Sequence, residues 1–189
     1  NVESPVSSGE VHVFRSLAAD RAMVYHAPAN GGGGHPLVCQ LKNGEILAVF
    51  QAWDGQDEDW HLMSARSTDE GLHWSRPQVL VDSSDSEGNP SLGVLEDGTV
   101  VLGYETWHHF VPGTPARFIS YDVIRSTDHG HAWNPPVKIQ VDHPRALASY
   151  SRIIPLPNGT ALLPLYSYLE NGREDENVLL SERQDRSYV

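Results

Sequence analysis

Three stretches of the chain repeat one arrangement of apolar and polar positions. They cover residues 36–53, 90–107 and 151–168, and each holds two apolar runs around a central glycine. Aligned on Gly44, Gly98 and Gly159, the preceding residue is Asn43, Asp97 or Asn158. Leu41, Leu95 and Leu156 come three residues before the glycine, and Trp53, Trp107 and Tyr168 come nine after it. Short apolar runs bounded by turn residues read as strands. An Asn-Gly or Asp-Gly pair between them signals a two-residue hairpin turn. The pattern predicts three copies of one hairpin. Upstream, residues 11–15 and 22–26 alternate well enough for two more strands, after a lead-in over 1–9. Gly31 to Gly34 read as a tight loop. A phosphate cradle would need Lys-Ser or Lys-Thr after the glycines, and His35-Pro36 stands there instead.

A second repeat lies between the hairpins. Arg66-Ser67-Thr68-Asp69-x-Gly71-x-x-Trp74 returns as Arg125-Ser126-Thr127-Asp128-x-Gly130-x-x-Trp133, 59 residues later. Ser and Asp side chains close turns onto nearby N–H groups, and Gly supplies a backbone angle that a side chain disfavours. The motif therefore reads as a structural turn. Pro77 and Pro136 follow each Trp by three residues, and short strands are expected near 78–81 and 137–141. The unit is a hairpin, a third strand ending at the turn motif, and an outer strand. Four antiparallel strands repeated round an axis make a β-propeller. The expectation is an all-β chain with about three blades, half of a six-bladed ring. A lead-in covers 1–34, blade one 35–88, blade two 89–149 and an incomplete blade three 150–189. The third strand of that last blade is expected at Asn177 to Leu180. Three blades leave open edges, so a homodimer or a piece of a longer chain is expected.

Composition narrows the function. The 189 residues carry a formal charge of −12 and a pI near 5.1, which argues against a nucleic-acid surface or a polybasic membrane patch. No apolar run approaches the roughly 18 residues needed to span a bilayer. No signal-type segment opens the chain, although the opening could follow one already removed. Localisation is left open, with secretion compatible. Cys39 is the only cysteine, so no internal disulfide forms. Asn158-Gly159-Thr160 fits a glycosylation sequon and equally fills a hairpin turn.

Strand direction places the hairpin turns and the Ser-Asp motifs at one end of each blade. The opposite end gathers the residues entering strand one and leaving strand two, which mix carboxylates, imidazoles and aromatics. Aromatics stack on sugar faces, carboxylates do acid–base work, and Arg pairs with a carboxylate. The candidate catalytic residues are Asp57, Asp59, Glu105 and His109. The candidate sugar contacts are His35, Trp53, Trp107, Tyr150, Arg152 and Tyr166. Packing accounts equally for the two Trp, a neighbouring blade for Arg152, and solvation for the loop carboxylates. No metal or cofactor is expected. Adjacent His108 and His109 would point to opposite sides of a strand and cannot share one ion. Asp82, Asp85, Glu87 and Asn89 lack a full calcium-loop spacing and read as a solvated turn.

The Ser-x-Asp-x-Gly-x-x-Trp motif resembles the Asp box of the sialidase superfamily, the BNR repeat. That resemblance implies a six-bladed propeller with the boxes on its rim and a sugar site at its centre. Sialidases remove a terminal sialic acid with an Arg triad, a Tyr–Glu pair and an Asp acid/base. The Asp would fall among Asp54, Asp57 and Asp59, and Arg152 could be a triad member. The first triad Arg sits in an Arg-Ile-Pro motif, where this chain has Gly34-His35-Pro36. The nucleophilic Tyr falls beyond the sequence. The implied function is exo-acting hydrolysis of a glycan bearing an anionic sugar. The alternatives are a propeller lyase acting on a uronate, in which His or Tyr removes a proton, and a non-catalytic sugar-binding or assembly propeller.

Overall fold

A computed structural model describes residues 23–53, 59–108, 117–139 and 146–168. Two four-stranded antiparallel sheets form its body. The first holds β1 (Gly32–Gln40), β2 (Ile46–Trp53), β3 (His61–Ser67) and β4 (Gln78–Val81), in that spatial order. The second repeats the order with β5 (Ser86–Val94), β6 (Val100–Trp107), β7 (Phe118–Ser126) and β8 (Val137–Lys138). A third copy is begun by β9 (Ala146–Ala148), β10 (Ile154–Pro155), β11 (Ala161–Leu162) and β12 (Tyr166–Tyr168). Here β12 pairs with β9, and β10 pairs with β11. The first strands start at Gly32, Ser86 and Ala146.

The alternation along each strand explains the stacking. Leu47, Val49 and Leu62 of the first sheet share one buried cluster with Leu92, Val100, Leu102, Tyr104 and Ile124 of the second. Each buried aliphatic side chain contributes roughly 1.5–3 kcal/mol, so the two sheets hold each other face to face. The third copy joins edge-on. Arg152 bridges Leu92 in parallel, and Ile153 donates its N–H to the Leu92 carbonyl at 3.0 Å. Gly93 permits this approach, since a Cβ there would lie 2.4 Å from the Ile153 carbonyl oxygen. Parallel inner strands side by side are what blades round a common axis require.

Two expectations change. The hairpin turns are not two-residue turns. Leu41 donates to Glu45 O at 2.8 Å and Gly44 donates to Leu41 O at 3.0 Å, a three-residue loop with Gly44 at φ 90°. The loops at Gly98 and Gly159 repeat it. A two-residue type I′ turn needs positive φ at both central residues, and Asn43 does not adopt it. Its side chain instead accepts the Glu45 N–H at 3.1 Å. The second change concerns 22–26: residues 23–28 form no strand. Their apolar side chains cover a sheet face, with Val24 and Tyr25 against Phe50, Ala52 and Ala65. The strands expected at 11–15 and at 177–180 lie outside the described residues.

Candidate functional site

The two ends of the sheets differ. At one end sit the Ser-Asp motifs. Ser67 Oγ accepts the Gly71 N–H at 2.8 Å and donates to Asp69 Oδ1 at 2.9 Å. Asp69 Oδ1 accepts the His73 N–H at 2.9 Å, and Trp74 Nε1 donates to Gly71 O at 3.0 Å. Ser126 and Asp128 repeat the arrangement with Gly130 and Ala132. The hydrogen bonds hold the Asp69 carboxyl down at about 2. These bonds hold the turn closed.

At the other end a cleft of about 460 Å³ opens where the first two sheets meet. Trp53 and Trp107 end β2 and β6, and Trp60 precedes β3; all three line it. Trp53 lies 6.0 Å from Trp60 between ring centres, and Trp107 meets Phe118 edge-on at 5.5 Å. Two of its polar residues, His35 and Asn89, come from β-bulges. The register of each first strand slips at Gly34/Leu37 and at Gly88/Ser91. Within those slips His35 and Asn89 take left-handed angles, φ 48° and 46°. A bulge re-aims side chains, and His and Asn are among the residues that tolerate that conformation.

The bulges are tied together across the sheets. Gln51 Oε1 accepts the Asn89 backbone N–H at 2.9 Å and also contacts His35 Nδ1 at 3.2 Å. Asn89 Nδ2 donates to Glu105 Oε1. Glu105 is 5% exposed although it lines the cleft. The second carboxyl, Glu87, is 1% exposed, and burial pushes it up to about 7 against the hydrogen bonds from Ser83. Ser83 Oγ donates to Glu87 Oε1 at 2.5 Å. The two acids therefore differ in character: one is fixed by an amide, and the other holds its proton near neutral pH.

Among the expected residues, Glu105, His35, Trp53 and Trp107 line the cleft. Tyr150 reaches it through His35, stacked at 5.1 Å, and Tyr166 meets Tyr150 edge-on at 5.9 Å. Burial and the adjoining Tyr150 raise the Tyr166 hydroxyl. Asp59 stands beside the cleft, its Oδ1 accepting from Ser86 Oγ at 3.1 Å. Arg152 is not brought to the cleft. It pairs alongside Leu92 further down, where its charge is felt by the buried Cys39 thiol. Asp57 and His109 lie outside the described residues. Sequence reasoning gave no role to Glu87, Trp60 or Gln51. Glu87 belongs to a strand that starts earlier than its turn-like composition suggests, so it is buried rather than solvated. Among the described residues no group of three His, Cys, Asp or Glu is arranged to hold a metal. No helix among them is long and apolar enough to cross a membrane.

Residues 44–188 match the BNR repeat-like domain. The chain belongs to the sialidase, or BNR-repeat, superfamily. No curated protein matches it in sequence. A Dyadobacter fermentans protein of unknown function is similar at 22% identity and TM-score 0.64, over 75% of this chain and 48% of that one. A Hadza microbial sialidase is similar at 21% and 0.62, over 73% and 33%. The intramolecular trans-sialidase of Ruminococcus gnavus is similar at 13% and 0.57, over 72% and 56%. At such identities the likeness is one of fold. The chain spans between about a third and just over half of the length of these structures.

Proposed function

We propose that the chain supplies about three blades of a six-bladed, carbohydrate-active propeller. The cleft binds the terminal sugar of a glycan, and the assembled protein hydrolyses its glycosidic bond. The observation that carries this reading is the cleft's make-up. Tryptophan rings flank a buried carboxylate, Glu105, that is held by an amide, while a second acid, Glu87, keeps its proton near neutral pH. Aromatic walls suit sugar faces. Two carboxyls in one cleft, one of them keeping its proton near neutral pH, suit glycoside hydrolysis, one as the acid and the other as the carboxylate that stabilises or attacks the anomeric carbon. The remaining blades come from further chain or from a second copy, and mass in solution distinguishes the two.

The sialidase names among the neighbours make sialylated glycans the first substrates to try. The carboxylate of an anionic sugar would need a cation, and no Arg or Lys is among the described residues lining the cleft. A lyase has the same need. The test is chromatography of the sugars released from sialyllactose and from neutral oligosaccharides. Glu105→Gln is expected to lower release at least about 100-fold while leaving the melting temperature nearly unchanged. An unsaturated uronate product, or no release from any glycan by the parent protein, overturns the proposal.

A further inference from the structure

His35 occupies the mouth of the cleft in a conformation fixed from three sides. Its backbone is held at φ 48° by the bulge, its ring stacks on Tyr150 at an interplanar angle of 21°, and its Nδ1 faces Gln51 Oε1 at 3.2 Å. The amide orientation of Gln51 is not free. A backbone N–H can only donate, so the Gln51 atom facing Asn89 N at 2.9 Å is the oxygen. That oxygen is the one beside His35 Nδ1, and an oxygen can only accept. His35 Nδ1 must therefore carry the proton. In the neutral ring the other nitrogen, Nε2, is then a bare acceptor. It makes no hydrogen bond among the described residues, and the His35 ring is part of the cleft wall.

We propose that His35 is a specificity-determining residue of the cleft: fixed as the Nδ1–H tautomer, it offers Nε2 to a hydroxyl group of an uncharged sugar. This rests on the reading that the cleft binds a sugar. A hydroxyl satisfies Nε2 by donating to it. To the neutral ring a carboxylate presents only lone pairs there. With the ring neutral, acceptor facing acceptor selects against an anionic group. Gly88 protects the device. A Cβ there would lie 3.0 Å from Gln51 Oε1, the atom that sets the tautomer.

Two measurements test this. Long-range proton–nitrogen correlation spectra at pH 8 report which imidazole nitrogen of His35 is protonated, with His35→Asn supplying the assignment. Nδ1–H is expected, and Nε2–H overturns the proposal. Binding is then titrated with methyl glycosides of the common neutral hexoses and with sialyllactose. A neutral glycoside is expected to bind best. Its affinity should fall at least about tenfold in both His35→Ala and His35→Asn. The Asn amide can still donate to Gln51 but has no atom at the Nε2 position. Binding that survives in His35→Asn means that the ring only positions Gln51, and it overturns this proposal alone. Sialyllactose binding tenfold tighter than every neutral glycoside also overturns it. If nothing binds, the sugar-cleft reading falls, and this proposal falls with it.

Discussion

The two ends of the sheets are built from similar residues and behave in opposite ways. At the Ser-Asp end, the Ser, Asp, Gly and Trp positions of the first two sheets are the same, and the serines make the same bonds: Ser67 with Gly71, Ser126 with Gly130. In each motif the Ser and Asp side chains close their own turn. At the cleft end, equivalent positions diverge. His35 stands where Asn89 and Tyr150 stand, and Gln51 where Glu105 and Tyr166 stand. Their bonds cross from one sheet to the next. Repetition marks what every blade needs in order to fold. Divergence at repeated positions marks what the stacked sheets need only once, which is how a single asymmetric ligand would be read by a nearly repeating scaffold.

The sharpest way to break that comparison is to exchange a bond at each end. Asn89→Ala removes the donor to Glu105 and leaves the buried carboxylate without it. It is expected to lower glycan turnover about 10- to 100-fold, with a change of only a few degrees in melting temperature. If turnover is unaffected, the cleft is not the reacting site. At the other end, Arg66 links the two motifs. Its Nη2 donates to His129 O at 2.7 Å, and its Nη1 pairs with Glu45 at 3.1 Å. Arg66→Ala should cost about 1–2 kcal/mol in urea unfolding and leave turnover per folded molecule unchanged. A loss of turnover beyond the folded fraction would mean that the motif end does more than hold blades.

The comparison also explains what was legible in the sequence. The hairpins and Ser-Asp motifs were visible because each is a local device repeated at a fixed offset, with glycine and turn residues in set places. The outer strand at 78–81 followed from the same spacing. The cleft was legible only as a list of mouth residues. Its wiring depends on the bulges at Gly34/Leu37 and Gly88/Ser91, and one slipped residue reverses which face a side chain occupies. Arg152 is an example: its backbone bridges Leu92, and it is not among the residues lining the cleft. Glu87 was hidden for a different reason. Its surroundings, Asp82, Asp85 and Ser83, are the composition of a loop, and only the pairing of Glu87 with Thr106 puts it in a strand.

The smallest effects come from two carboxyls, one at each end, and their opposite signs sharpen the contrast. Glu87 is raised by burial from 4.5 to about 7. Its contribution to stability is fully present below its unfolded value near 4.5, and it is lost as pH rises through about 7. Asp69 is lowered from 3.8 to about 2 by its hydrogen bonds. Its contribution is present above its unfolded value, and it is lost as pH falls through about 2. Urea midpoints measured from pH 2 to 8 should therefore show two separate limbs. Glu87→Gln should flatten only the limb between about pH 4.5 and 7, and Asp69→Asn only the acid limb. A neutral-side limb that survives Glu87→Gln would mean that a different group carries the buried proton, and the acid of the cleft would have to be reassigned.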